Sequence, residues 1–402
     1  MIPFASRDET MAAFADHLSR GKVEVFNELG IDIVIGRREG ASFYDAYNDR
    51  KYLNCHCNGG VFNLGHRNPQ ILDALNRALY EDEIDVGNHH LISGWKAKLA
   101  RRLAATTQDH CPGVVFSPSG SEAVEVALKT ARVVTGRPEI ISVHGAYHGH
   151  TGLAAMAGDA RYHEPFGIDL PDFTHLPHND LAAMENRISD ATAAVILETI
   201  PATLGMAIPH EGYLARIKEI CKERGALLIL DEIQTGLGRS GKFWGYEYDE
   251  VVPDLVVTGK GLGGGIYPIA ATLMTPKVHK FYDDEPFVQV SSYGGSDIGC
   301  AVGLAVMDIV ESPGFLARVE ELGDRFEQKL SCRGEIRRRG LFIGIKWPDE
   351  GAGILAAKAC IDAGVFAVFA NNDTSVLQFL PPLTIADSEA DEIINIVNEA
   401  LS

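Results

Sequence analysis

The chain has 402 residues, 46% apolar and 23% charged, enough for a sizeable core in one large domain or two to three ordinary ones. Its 55 acidic against 36 basic residues give a formal charge of −19, which excludes a nucleic-acid or anionic-membrane partner held by clustered positive charge. Seven scattered cysteines make no disulfide framework, the N-terminus lacks an apolar run of signal-peptide length and no later segment could span a bilayer, so a reducing cytoplasm is expected.

In chain order, residues 21–54 read as an irregular or strand-rich arm with turn signals around Gly36–Gly40 and Asn48-Asp49. Cys55-His56-Cys57 follows without a second Cys/His pair at ligand spacing, so no metal site is expected. From residue 114, short continuously apolar runs alternate with helical patterns: VVF (114–116), EIISV (139–143), AAVIL (193–197), ALLIL (226–230), LVV (255–257) and IAATLM (269–274). Continuous rather than alternating apolarity predicts strands covered on both faces, hence a mostly parallel sheet with helical crossovers. A helical pattern from Cys300 to Leu330 then leads into an α+β tail with strand candidates IRRRGLFIGIKW and SVLQFLPPL, its Arg337–Arg339 read as a solvated face.

Each strand end carries polar residues, and in open parallel sheets ligands bind there. After VVF, the turn Ser117–Ser121 opens a helix whose free N–H groups suit an anion, although SGSE is also an ordinary helix cap. After EIISV comes HGAYHGHT, fit for a metal or for stacking Tyr147 on a planar ring. After ALLIL, Asp231 could cap a helix, hold a cation or pair with a protonated heterocycle, with Gln234 three residues on. Lys260 lies in TGKGLGGGIYP, which is no Walker loop because Gly261 follows the lysine. Small neighbours instead suit a lysine that forms a Schiff base and must let a cofactor approach. An anion turn, an aromatic beside glycines, a strand-end acid and a strand-end lysine are together the parts that pyridoxal phosphate requires.

The chain resembles the class III aminotransferases of the fold-type I pyridoxal-phosphate enzymes, on NLGHRNPQIL, SGSEAVEVALKTAR, AYHGHT, LILDEIQTGLGRSGKFWGYE, TGKGLGGGIYPIAA, SSYGGS and LPPLTIAD in that order. The resemblance implies an α/β fold with a large domain built on a mostly parallel sheet (55–300), a smaller α+β domain (301–402) and an N-terminal arm (1–54) packed with it. It implies Lys260 as Schiff-base lysine and proton shuttle, and Asp231 as partner of the pyridine nitrogen. Gly120 and Ser121 would bind the phosphate, Tyr147 stack on the ring and Gln234 bond its hydroxyl. It also implies a homodimer with active sites at the subunit interface, or a dimer of dimers, in which Ser292 reaches the neighbour's phosphate and Ser291 faces substrate.

Three positions depart from the family. His150 and Gln378 stand where relatives commonly carry carboxylate-binding arginines, and Thr203 stands where a glutamate pairs with the second, although Glu198 is kept. Neither replacement can form a bidentate fork on a carboxylate, and losing both members of a buried pair leaves no uncompensated charge. The expectation is a rebuilt substrate pocket involving His150, Glu198, Thr203, Ser291 and Gln378. The activity expected is transfer of an amino group from a primary, terminal amine to a keto-acid or aldehyde. A lyase or aminomutase on the same fold is the alternative, and a non-catalytic cofactor-binding regulator a distant third.

Overall fold

The structure is a computed structural model that describes residues 3–402; Met1 and Ile2, with which the expected arm begins, lie outside the described residues. The N-terminal segment forms helices Arg7–Phe14 and Arg20–Glu28, joined by a π-helical turn, and then strands β1 (Ile35–Glu39), β2 (Ser42–Asp45) and β3 (Lys51–Asn54).

The middle of the chain supplies β4 (Gly113–Ser117), β5 (Glu139–Val143), β6 (Phe173–Leu176), β7 (Thr192–Glu198), β8 (Leu227–Asp231), β9 (Leu255–Thr258) and β10 (Ala270–Met274). They form one seven-stranded sheet in the order β4-β10-β9-β8-β7-β5-β6, in which β10 runs antiparallel to both neighbours. The apolar runs are continuous because both faces are covered. Leu228, Leu230, Val195 and Leu197 pack into one core, whereas Leu227, Ile229, Ala194 and Ile196 pack into another on the opposite face. Helix Gly120–Thr135 lies over the second face, its N-cap Ser119 accepting the Glu122 N–H and its C-terminus turning at left-handed Gly136.

The C-terminal part builds an antiparallel sheet from β11 (Glu335–Arg339), β12 (Phe342–Lys346), β14 (Val368–Ala370) and β15 (Asp373–Phe379), ordered β11-β12-β15-β14. The short β13 (Val365–Phe366) leaves this sheet and pairs in parallel with β3, joining arm and tail.

Two expectations change. The helical pattern from Cys300 to Leu330 is two helices, Asp297–Val310 and Phe315–Lys329, broken at Ser312-Pro313-Gly314 because proline cannot continue the ladder and Gly314 takes a left-handed φ of 84°. Arg337–Arg339 is not a solvated face. Arg338 meets Glu320, Asp324 and Glu327, Arg339 meets Asp249 at 2.8 Å, and all three guanidinium side chains are largely covered. No single helix among the described residues is long and apolar enough to cross a membrane.

Candidate active site

The carboxyl ends of β7, β8 and β9 lie side by side, and each ends in or just before a functional group. Glu198 and Asp231 are register partners across β7 and β8. Beyond β9, Gly259 leads into a 3₁₀ turn that starts at Lys260 with a φ of 39°, a left-handed conformation that only surrounding structure can hold in a non-glycine residue. Lys260 Nζ donates to Gln234 Oε1 at 2.9 Å, so the lysine and the glutamine expected at the ring hydroxyl do meet. Burial pushes the Lys260 ammonium below its usual range, opposed by the charges of Asp231 and Glu198. The shift favours a neutral amine, the form that attacks a carbonyl.

Asp231 is 5% exposed and held on both oxygens: Oδ1 accepts the Ile233 N–H at 3.0 Å and Oδ2 lies 2.8 Å from His148 Nδ1. Burial alone would lower the His148 pKa, but the hydrogen bond to Asp231 and its charge, with Glu198 behind, hold it above the ordinary value. His148 and Asp231 thus form a buried hydrogen-bonded pair, which leaves lone pairs of the carboxylate for a heterocyclic N–H. Glu198 Oε1 accepts the Tyr147 N–H at 2.9 Å, and burial raises its pKa to about 7 against the pull of His148. Tyr147 is thereby anchored through its backbone while its ring meets Tyr162 and His150 edge to face, at 5.2 and 5.3 Å.

Gly120 and Ser121 open the helix behind β4. A Cβ at Gly120 would stand 2.8 Å from Ile233 Cδ1, so a side chain there would have to push the Ile233 side chain aside. The Ser121 hydroxyl is engaged by its own chain, accepting the N–H groups of His150 and Thr151 at 3.1 Å each. It fastens the Tyr147 loop to the helix start. Ser117 Oγ and Thr258 Oγ1, at the ends of β4 and β9, are buried and without a hydrogen-bond partner among the described residues. Orphaned hydroxyls beside a helix N-terminus, next to a buried acid and an amine, fit a phosphorylated, protonated heterocyclic aldehyde.

The substrate-pocket candidates fall into two groups. Thr203 Oγ1 donates to Gly145 O at 3.1 Å, and Asn372 reaches the same carbonyl at 2.8 Å while its N–H bonds Thr203 O at 2.9 Å. Gln378 is 6% exposed, and its neighbours along β15 face the same loop: Val376 lies against Gly205, and Leu380 packs with Ile200, Ala202 and Met206. His150 is exposed beside Tyr147. Ser292 is exposed and the Ser291 hydroxyl accepts the Gly294 N–H at 3.2 Å.

The comparisons with known proteins now bear on this arrangement. The family described as Aminotransferase class-III matches residues 26–401, nearly the whole chain. This chain is a class III aminotransferase. An uncharacterized aminotransferase of Archaeoglobus fulgidus is 48% identical over 392 residues, covering 96% of this aminotransferase and 92% of the relative. The ornithine aminotransferase of Toxoplasma gondii superposes with a TM-score of 0.89 at 25% identity, covering 99% of this chain and 96% of that one. The acetylornithine aminotransferase of Elizabethkingia anophelis gives 0.80 at 26% identity, covering 95% and 98%. The aminotransferase is a pyridoxal-phosphate enzyme, with the α/β fold and mostly parallel central sheet of those structures.

Sequence reasoning missed two residues of this aminotransferase. His148 was one of three histidines in HGAYHGHT, and only the fold separates it from exposed His144 and His150. Glu232, beside Asp231, accepts from Thr199 Oγ1, Thr235 Oγ1 and the N–H groups of Gly245 and Tyr246 at 2.5 to 2.9 Å. It ties the residue after Glu198 to the residue after Gln234. The sequence signal was the DE pair itself, an acid in an apolar strand end with no basic residue near.

Proposed function

We propose that this aminotransferase takes the amino group of a primary, terminal amine and passes it to a keto-acid or aldehyde, with Lys260 carrying the cofactor and shuttling the proton. The carrying observation is the adjacency of Lys260, Gln234 and the doubly held Asp231 at the ends of neighbouring strands. Bound pyridoxal phosphate supplies the electron sink that acidifies the amine-bearing carbon. Asp231, held by His148, would keep the ring nitrogen protonated, and Tyr147, anchored by Glu198, would stack on the ring. Gly120 and Ser121 would offer N–H groups to the phosphate, and the Lys260 amine would serve as the base at the substrate carbon.

Support for a terminal amine lies in the pocket: Thr203, Gln378 and His150 offer no guanidinium to a carboxylate on the reacting carbon. A homodimer is supported by exposed Leu91 and Ile92 (70% and 101%) and Phe287, Val288 and Tyr293 (73%, 56% and 62%), the latter three flanking Ser291 and Ser292. There Ser292 would complete the phosphate site of a second copy. Seven free cysteines, six of them buried, support a reducing cytoplasm. Within this reading the arm is 1–54, the large domain 55–300 and the small domain 301–402.

The same lack of arginines favours a second reading, a lyase or aminomutase that needs no dicarboxylate partner. Purified enzyme given single amines without acceptor separates the two. Stoichiometric conversion of the cofactor to its amine form supports transamination. Ammonia or phosphate released over many turnovers, with the cofactor returning to its aldehyde form, favours the lyase.

A further inference from the structure

Tyr147, His150 and Tyr162 form a closed triangle of rings. Each pair meets edge to face: Tyr147 and His150 at 5.3 Å and 68°, Tyr147 and Tyr162 at 5.2 Å and 75°, His150 and Tyr162 at 5.3 Å and 85°. In this geometry the positive edge of one ring points at the negative face of another, so the tilt of each ring depends on the other two. Their freedom is unequal. His150 is exposed and Tyr147 half-buried, whereas Tyr162 is only 8% exposed. Tyr162 is therefore the fixed member against which Tyr147 takes its tilt.

Tyr162 is held from two directions. The helix Gly152–Ala157 ends at Gly158, where a Cβ would stand 3.3 Å from both the Ala146 carbonyl oxygen and Tyr162 Cδ2. Asp159 then donates its N–H to Ala146 O at 2.8 Å, and a 3₁₀ turn, Ala160–Tyr162, follows. The base of the Tyr162 turn is thus fastened to the residue before Tyr147. On its other side lies the turn between β14 and β15. Arg161 Nη1 donates to Asn371 O at 2.5 Å, and Tyr162 Oη lies 3.4 Å from Asn372 Nδ2, which also donates to Gly145 O at 2.8 Å. The C-terminal sheet therefore meets the Tyr147 loop through the residues around Tyr162.

Resting on the proposed stacking of Tyr147 on the cofactor ring, we propose that Tyr162 is a positioning residue: it sets the tilt of the Tyr147 ring, and with it the face offered to the cofactor. What it must supply is a planar ring, because its contact with Tyr147 is edge to face and the hydroxyl contact to Asn372 is long.

The test uses holoenzyme and two readings of the bound pyridoxal phosphate, its visible circular dichroism and its rate of loss into cofactor-free buffer, with Tm measured alongside. An edge-to-face pair corresponds to about two- to tenfold in an equilibrium, so Tyr162→Leu should change the dichroism and speed cofactor loss by about that factor. Tyr162→Phe keeps the ring and should keep the wild-type dichroism, with cofactor loss within about twofold of the wild-type rate. Gly158→Ala preserves the core and suits the local backbone, with φ at −86°, yet crowds Tyr162 Cδ2. It should shift the dichroism in the same sense as Tyr162→Leu, and it decides the question if the leucine variant does not fold: unchanged dichroism there overturns the proposal. A tyrosine that only filled the core would give Tyr162→Leu a lower Tm with both cofactor readings unchanged, and that result, or a phenylalanine variant altered as much as the leucine one, also overturns it. Tyr147→Ala separates this role from the reading beneath it. If that variant leaves both readings unchanged, the stacking of Tyr147 falls; if it changes them while Tyr162→Leu does not, only the role of Tyr162 falls.

Discussion

Asp231 Oδ2 lies 2.8 Å from His148 Nδ1, and the histidine is fully enclosed. The carboxylate is aimed by a partner that sees no solvent, so its orientation is fixed before any cofactor arrives. Losing a charge-assisted hydrogen bond of this kind costs about 1.5–3 kcal/mol, or roughly 10- to 100-fold. His148→Gln should therefore lower kcat/KM by that factor and shift the pH at which the bound cofactor changes absorbance. Unchanged absorbance titration would show that His148 merely fills space.

Lys260→Ala should abolish the covalent link, read as the loss of a cofactor-sized mass increment after borohydride reduction. Removing a positioned proton shuttle costs about 10²–10⁴-fold in turnover, and added small primary amines should restore part of it. Retention of the mass increment would move the linkage to another lysine.

Much of this was legible in the sequence, for identifiable reasons. The strands of the central sheet were readable where burial on both faces demanded continuous apolar runs, as at ALLIL and AAVIL. Strand β6, FTHL, was not, because it is an edge strand of half-buried residues and carries polar Thr174 and His175. The direction of β10 was equally hidden, since composition holds no record of polarity within a sheet. Asp231 and Lys260 were legible because a charge at the end of an apolar run needs a reason. His148 was not distinguishable from its neighbours, as only the path of the 144–151 loop buries it and exposes them.

Glu232 carries a pH signature. Burial raises its pKa from 4.5 to about 7 against four hydrogen bonds, so between those values the folded state holds a proton that the unfolded state has released. Stability from this group therefore falls as pH rises through that window, by about 3 kcal/mol in full. Glu232→Gln should lower Tm at every pH, since an amide cannot accept all four donors, but it should flatten the decline between about pH 4.5 and 7. Glu198 titrates in the same window with the same sign and is common to both proteins, so the difference in slope isolates Glu232. Parallel Tm profiles would refute this.

Gln378 and Thr203 form a test of pocket electrostatics. Gln378→Arg alone puts an unpaired charge into a site that is 6% exposed and should cost about 3–5 kcal/mol. Adding Thr203→Glu should recover at least about 1 kcal/mol of that, read from denaturant midpoints in a double-mutant cycle, although the Thr203 bond to Gly145 is lost. Strict additivity would mean that the two positions do not face each other.

The exposed Phe287 and Ile92 make the subunit arrangement testable. If the proposed homodimer forms through these residues, Phe287→Asp, alone or with Ile92→Asp, should halve the mass measured by light scattering and, with Ser292 in its proposed place, weaken cofactor retention. A monomeric variant that keeps its cofactor as tightly would separate Ser292 from the phosphate.

Strand β4 sits at the edge of the central sheet and pairs with β10, which is made more than 150 residues later. The turn proposed for the phosphate follows β4 and the lysine turn follows β9, and β10 is the strand between them. During synthesis, Asp231 at the end of β8 can be in place while β4 and the turn after it still wait, unattached, for Ala270–Met274 to leave the ribosome. Such a long-range pairing is a slow step of assembly. A chain stopped short of β10 would carry Gly120, Ser121, Asp231 and Lys260 but lack the strand that joins β4 to β9, and so would have no fixed distance between the turn at Ser121 and the lysine.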